Sequence, residues 1–337
     1  MQTSPWFRLA AALCLAASCG IAAAGPRVLR LGIGLPAASV QGQAVQDFAE
    51  RVARYSGGSL AIELHAGGQL GNDLSMVGAL RAGTLEMSCP DSATLAGLEP
   101  GFSAINYPFT FFSETEADAV LDGSWGKQLL SRLPAHQLLG LAYWENGFRH
   151  LTNSRRPLLG VADFAGVRMR TMQNPMLVES FRKLGFDAVP MPFPQVYDAL
   201  REQRVDGQEN PLPTIVASRF YEVQRYLTLS RHVYSAHVLL VGKKAWDALD
   251  AAQQTALQRA AGESRDFERR LSRDSNERAL AELKQRGMQV TVIARPDAER
   301  IRNRLRDVLE KYHHEIGPAL VIEMYVQLGR LRMASAP

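Results

Sequence analysis

Two arginines stand where a strand would end and an anion could be met. Arg149 closes the stretch Glu145, Asn146, Gly147, Phe148, Arg149 after the apolar run Leu138 to Trp144, and Arg170 ends the run Val167 to Arg170. Asn174 and Pro175, just beyond, suit the N-cap and first turn of a following helix. A side chain at such a strand end points into the crevice of an α/β sheet, where a buried guanidinium is expensive unless an anion meets it. Its planar fork suits a carboxylate through two parallel hydrogen bonds. For either arginine alone the ordinary reading is an ion pair with an acid of a facing lobe. Two on consecutive strand ends, with the amide of Asn210 nearby, favour an anion site. Asn210 belongs to Val205, Asp206, Gly207, Gln208, Glu209, Asn210 and Pro211, a stretch too polar for a buried strand and stopped by proline. It reads as a cleft-lining turn or a crossover between lobes.

Other chemistry is less well supported. Gly32, Gly34 and Ala37 follow the first strand in the spacing of a dinucleotide-binding turn. Pro36 interrupts that turn, and Glu63, the next acid after the second strand begins, lies beyond the usual spacing of about 20 residues. An oxidoreductase using this turn is therefore a rival reading, and a strand bending into a loop is the plainer one. His313 and His314 beside Glu315 point about 100° apart on a helix and do not converge on a metal. Cys89, alone in an apolar stretch, reads as core. The sequence holds no GxSxG, HExxH, P-loop or CxxC, so no catalytic residues, metal ligands or cofactor are assigned.

The elements that would position these residues alternate strand and helix. Val28 to Ile33 and Leu60 to Leu64 read as strands, with helices over Val40 to Tyr55 and about Asn72 to Ala82, the latter stopped by Gly83. This is the spacing of a parallel α/β lobe. The pattern recurs after Asn146, with strands at Val167 to Arg170 and Asp187 to Val189 around a helix from Asn174 to Leu184. Leu239 to Val241 and Met288 to Ile293 add strands. From Asp250 to about Arg286 the chain has no Pro and only Gly262, which predicts a helix of roughly 50 Å, long enough to cross between lobes. Its charges Arg265, Glu268, Arg269, Arg270 and Arg273 read as a solvated face. Two more helices, about Pro296 to His314 and Pro318 to Leu331, finish the chain.

Arg8 followed by the apolar run Leu9 to Ala24 reads as a secretory leader cut after Ala24, too short for a confident anchor. Cys19 weakly resembles a lipoprotein attachment site whose leucine stands one position too far upstream. Of three cysteines, only Cys89 would survive, so no internal disulfide forms and a large core must stabilise the fold. Removing Arg8 leaves 37 basic residues against 34 acidic, spread without a basic run, which gives no reason to expect nucleic acid. About 310 residues suggest two lobes, expected at 25–148 with 236–276 and at 149–235 with 277–337.

Several stretches resemble the solute-binding proteins of tripartite ATP-independent periplasmic (TRAP) transporters, the DctP family. They are Trp144 to Asn153 (WENGFRHLTN), Gly166 to Pro175 (GVRMRTMQNP), Pro190 to Leu200 (PMPFPQVYDAL) and Val205 to Ile215 (VDGQENPLPTI), joined by Gly68 to Asp73, Ala82 to Met87 and Phe220 to Ser235. They are collinear and span nearly the whole chain after the leader. The resemblance implies two periplasmic-binding-protein-like (type II) lobes joined by hinge strands and the long helix. These would close on an organic acid, a sugar acid or a C4-dicarboxylate, and hand it to a small and a large membrane subunit. By the same resemblance Arg170 pairs with the ligand carboxylate, Arg149 adds a second contact, Asn210 holds the carboxylate from the other side and Phe193 packs on the ligand. Asp91 reads hydroxyls, Asp73 reaches hydroxyls through water, and Tyr234 lies where specificity varies. The loop Gly34, Leu35, Pro36 lacks the polar side chain several members place there, which argues against a sialic-acid type of ligand. A sensor component presenting the same cleft to a membrane receptor is the remaining alternative.

Overall fold

The computed structural model describes residues 25–334, so the expected leader, with Cys14 and Cys19, lies outside the described residues. Two separate β-sheets organise these residues. The first holds β1 (Arg27–Gly32), β2 (Leu60–His65), β3 (Met87–Ser88), β4 (Leu138–Phe148) and β10 (Tyr234–Gly242) in the order β2-β1-β3-β10-β4. The second holds β5 (His150–Asn153), β6 (Arg168–Thr171), β7 (Asp187–Pro190), β8 (Gly207–Asn210), β9 (Tyr226–Leu229) and β11 (Gln289–Val292) in the order β11-β9-β5-β8-β6-β7. β1 runs parallel to β2 and β3, while β10 is antiparallel to β3 and β4. This is a two-lobed α/β fold. Val45, Phe48 and Val52, on one face of the helix Val40–Tyr55, pack onto Leu29, Leu31 and Ile33, and burying each such side chain contributes about 1.5–3 kcal/mol.

Two strand crossings and a long helix join the lobes, besides the C-terminal return of the chain. β4 passes through Arg149 into β5, β9 returns through residues 230–233 into β10, and the Arg149 N–H donates to the Val233 carbonyl at 2.8 Å where the two crossings lie side by side. The helix Ala251–Gln285 is the third link, burying Leu257, Ala260 and Ala261 in the first lobe's core and Ala279 and Leu283 in the second's.

Four expectations need correction. Gly207–Asn210 is not a turn but the fully buried strand β8, paired on both sides by β5 and β6. Its polar side chains are satisfied inside the protein: Gln208 donates to the Thr152 hydroxyl at 2.9 Å and Glu209 takes up Arg149. The long helix is not simply solvated on its charged face. Glu268 is wholly buried and accepts the Glu145 N–H at 2.7 Å, Arg269 forks onto Asp122, and Arg273 bridges Asp118 and Glu145. The expected helix from Pro296 is two, Arg295–Arg304 and Arg306–Ile316; the break at Leu305 lets Ile301 and Leu305 face one core while Val308, Tyr312 and Ile316 face another. The helix Pro318–Ala334 departs from the expected division, returning to the first lobe, where Trp125 Nε1 donates to the Leu320 carbonyl at 2.8 Å.

Candidate ligand-binding site

A cavity lies between the sheets, lined from the first lobe by Gly34, Gln41, Asp73, Asp91 and His237 and from the second by Arg170, Met191, Phe193 and Asn210. It holds about 570 Å³ of empty space, including the solvent at its mouth.

Arg170 sits one residue from the end of β6 and is 3% exposed. Its Nε and Nη2 donate to the Met191 carbonyl at 3.0 and 2.8 Å, which fixes one edge of the guanidinium, and Nη1 has no partner. A guanidinium has a second edge, made by Nη1 and the other N–H of Nη2, and that edge is a two-pronged donor. Burial pulls Arg170 down to about 10; Glu209 opposes this and Arg149 reinforces it, so the charge is retained at neutral pH but is poorly compensated. The Phe193 ring centroid stands 6.0 Å from its guanidinium carbon.

Arg149, 1% exposed, is already engaged. Nε and Nη2 fork onto the two carboxylate oxygens of Glu209, the latter at 2.9 Å, and Nη2 also donates to the Glu209 carbonyl and to Asn210 Oδ1 at 3.1 Å. Nη1 donates to the Ser235 hydroxyl and lies 3.7 Å from Asp91. Burial alone would raise Glu209, but Arg149 and then His232 outweigh it and hold it at about 2. Arg149 thus lines the cavity with its Nε–Nη2 edge held in an internal ion pair. Asn210 likewise donates to Gln208 while accepting from Arg149.

Facing these, Asp91 accepts the Ala93 N–H at 2.8 Å, capping the turn Ser92–Leu95, and its other oxygen accepts from Asn146 Nδ2 at 2.7 Å. Asp73 lines the cavity and accepts the Asp91 N–H at 3.1 Å, and burial, aided by the neighbouring charge of Asp91, pushes it up to about 6. Tyr234 is elsewhere: it lies in the first lobe's core, its ring edge-on to Phe111 at 5.5 Å and Phe148 at 5.3 Å, and does not line the cavity. The other six expected residues do. The Gly32 to Ala37 turn contributes Gly34 and Leu35 to the wall, and Ser39 already caps the helix behind it by accepting the Gly42 N–H at 3.1 Å.

Gln41, Thr94, Met172, Gln173 and His237 also line the cavity and were not anticipated from sequence. His237 carried the clearest unread signal. Within β10, Ala236, Val238 and Leu240 face one core and Leu239 and Val241 the other, so an imidazole on the latter face interrupts the apolar run Ala236 to Val241. Among the described residues no group of three or more His, Cys, Asp or Glu side chains could hold a metal ion.

Two α/β lobes closed around a buried guanidinium with a free edge define a two-lobed binding protein for a small anion. The family model for bacterial extracellular solute-binding proteins, family 7 (DctP), matches residues 31–315. A solute-binding protein of Verminephrobacter eiseniae is 36% identical over 88% of both chains. The 2,3-diketo-L-gulonate-binding periplasmic protein YiaO of Escherichia coli is 32% identical, covering 84% of this chain and 87% of its own. The sugar acid binding protein DctPAm of Advenella mimigardefordensis, crystallised with galactonate, is 41% identical with a TM-score of 0.89, covering 91% of this chain and 99% of that one. The chain therefore belongs to the DctP family of extracellular solute-binding proteins, whose members are binding proteins rather than enzymes.

Proposed function

We propose that this protein captures a small organic acid, a sugar acid in preference to a C4-dicarboxylate, in the periplasm and delivers it to the two membrane subunits of a TRAP transporter. The observation that carries this reading is the buried Arg170 guanidinium, whose Nε–Nη2 edge is held by the Met191 carbonyl and whose Nη1 has no partner. An incoming carboxylate completes it with two charge-assisted hydrogen bonds and removes the cost of an uncompensated buried charge. Phe193 then packs on the solute's carbon chain. Capture works as a population shift: the solute touches both walls only when the lobes are together, so it favours the closed state by its differential contacts. The galactonate and diketogulonate relatives support a sugar acid. Export to the periplasm rests on the leader at 1–24; no described helix is long and apolar enough to cross a membrane.

A thermal-shift screen of the purified protein against sugar acids, uronates and C4-dicarboxylates tests the reading. A ligand at 100 times its Kd stabilises the folded state by about 2.7 kcal/mol, which moves the melting temperature by several degrees. A sugar acid giving that shift supports the proposal, and a flat response to every acid at millimolar concentration contradicts it.

A further inference from the structure

The walls of the cavity are unequal in charge. Arg149 and Arg170 line the cavity together with Asp73 and Asp91, while Glu209, which lies behind the wall, already compensates Arg149, and all four of Arg170's charged neighbours act electrostatically on it. Asp73 and Asp91 both belong to the first-lobe wall, and the free guanidinium edge belongs to the second. A solute carboxylate at Arg170 therefore finds its cation, whereas a second carboxylate at the first-lobe wall meets two anions. His237 stands in that wall, joined through its backbone to Asp91, and is 6% exposed with an Nδ1 that has no partner. Burial drives it down to about 4, with Asp91 opposing and Arg149 reinforcing, so at neutral pH it offers no positive charge to a carboxylate. A neutral imidazole offers one donor and one acceptor, and a carboxylate offers acceptors only. A hydroxyl group matches both kinds of partner, because it donates to a carboxylate or imidazole nitrogen and accepts from an imidazole N–H.

We propose that His237 is a specificity-determining residue: together with Asp73 and Asp91 it reads hydroxyl groups of the solute and makes the site select a polyhydroxylated monocarboxylate over the corresponding dicarboxylate. This rests on Arg170 as the carboxylate anchor. The unpartnered Nδ1 is satisfied when the solute is bound, and the anionic wall enforces discrimination through repulsion.

The test is calorimetric titration, at pH 7.5, with two pairs of acids that differ only in whether one end is hydroxymethyl or carboxylate: galactonate with galactarate, and threonate with tartrate. The wild type is expected to prefer the monocarboxylate of at least one pair by about 100-fold or more. His237→Leu is expected to lose about 10- to 100-fold in affinity for that monocarboxylate, and His237→Gln, a neutral hydrogen-bonding replacement, to stay within about 5-fold of wild type. Asp73→Asn is expected to narrow the preference by about 10-fold, an effect that does not depend on whether the leucine variant folds. Equal binding of the two members in both pairs, an unchanged affinity in His237→Leu, or an unchanged preference in Asp73→Asn overturns the proposal. A wild type that binds none of the four acids overturns the Arg170 reading and this inference with it, whereas binding without discrimination overturns this inference alone.

Discussion

Arg149 and Arg170 are both guanidinium groups buried at strand ends, and what separates them is what each already holds. Arg149 forks onto Glu209, while Arg170 gives one edge to a carbonyl and keeps the other free. Removing one partner of a buried pair costs about 3–5 kcal/mol, so Glu209→Gln should lower the urea midpoint markedly even though Glu209 does not line the cavity. Acid pH acts through the histidines. His150, lowered to about 3 chiefly by burial with His232 adding, and His237 at about 4 refuse protons that the unfolded chain accepts near 6.5. Each therefore removes stability as pH falls below about 6.5 toward its folded value, by about 1.4 kcal/mol per pH unit, while Asp73, raised to about 6, acts in the opposite sense below that pH. His237→Gln should accordingly show a melting temperature that falls less steeply between pH 6.5 and 4 than the wild type's, measured by scanning calorimetry; parallel curves would contradict the assignment. Both arginines were legible as candidates because their residue type and strand-end position are local facts. Which was free was not legible, since Glu209 comes from another strand and only the folded register brings it to Arg149.

Elements were read best where a local pattern decides them. The long helix followed from the absence of proline and the single Gly262, and its N-terminus carries the capping pair Asp250 and Gln253. Its buried charges were misread because their partners Asp118, Asp122 and Glu145 lie far away in sequence. β8 was misread for a related reason: polarity in a strand signals solvent only when the polar groups lack internal partners, and here they have them. Leu305 marks a bend that no glycine or proline announces. At the crossing between sheets, Gly147 has φ of 107°, a conformation that suits glycine. A Cβ there would meet nothing closer than Pro211 at 3.7 Å, so Gly147→Ala should cost about 1–3 kcal/mol through backbone strain alone. A denaturant midpoint unchanged from wild type would show that the crossing relaxes without strain.

At the scale of the molecule, the two-lobed division was legible from alternating strands and helices, whereas the return of the helix Pro318–Ala334 to the first lobe was not, because its apolar residues fit either core. The two strand crossings and the long helix hold the lobes together around a cavity lined by side chains from both. On the proposed reading, capture of the solute depends on Arg170 more than on any other residue of the wall. Calorimetric titration of the tightest-binding sugar acid into wild type and Arg170→Ala, with circular dichroism confirming that both are folded, addresses it directly. Loss of one partner of a desolvated charge pair costs about 2–5 kcal/mol, so the variant should bind about 30-fold or more weakly. An unchanged affinity would contradict the account.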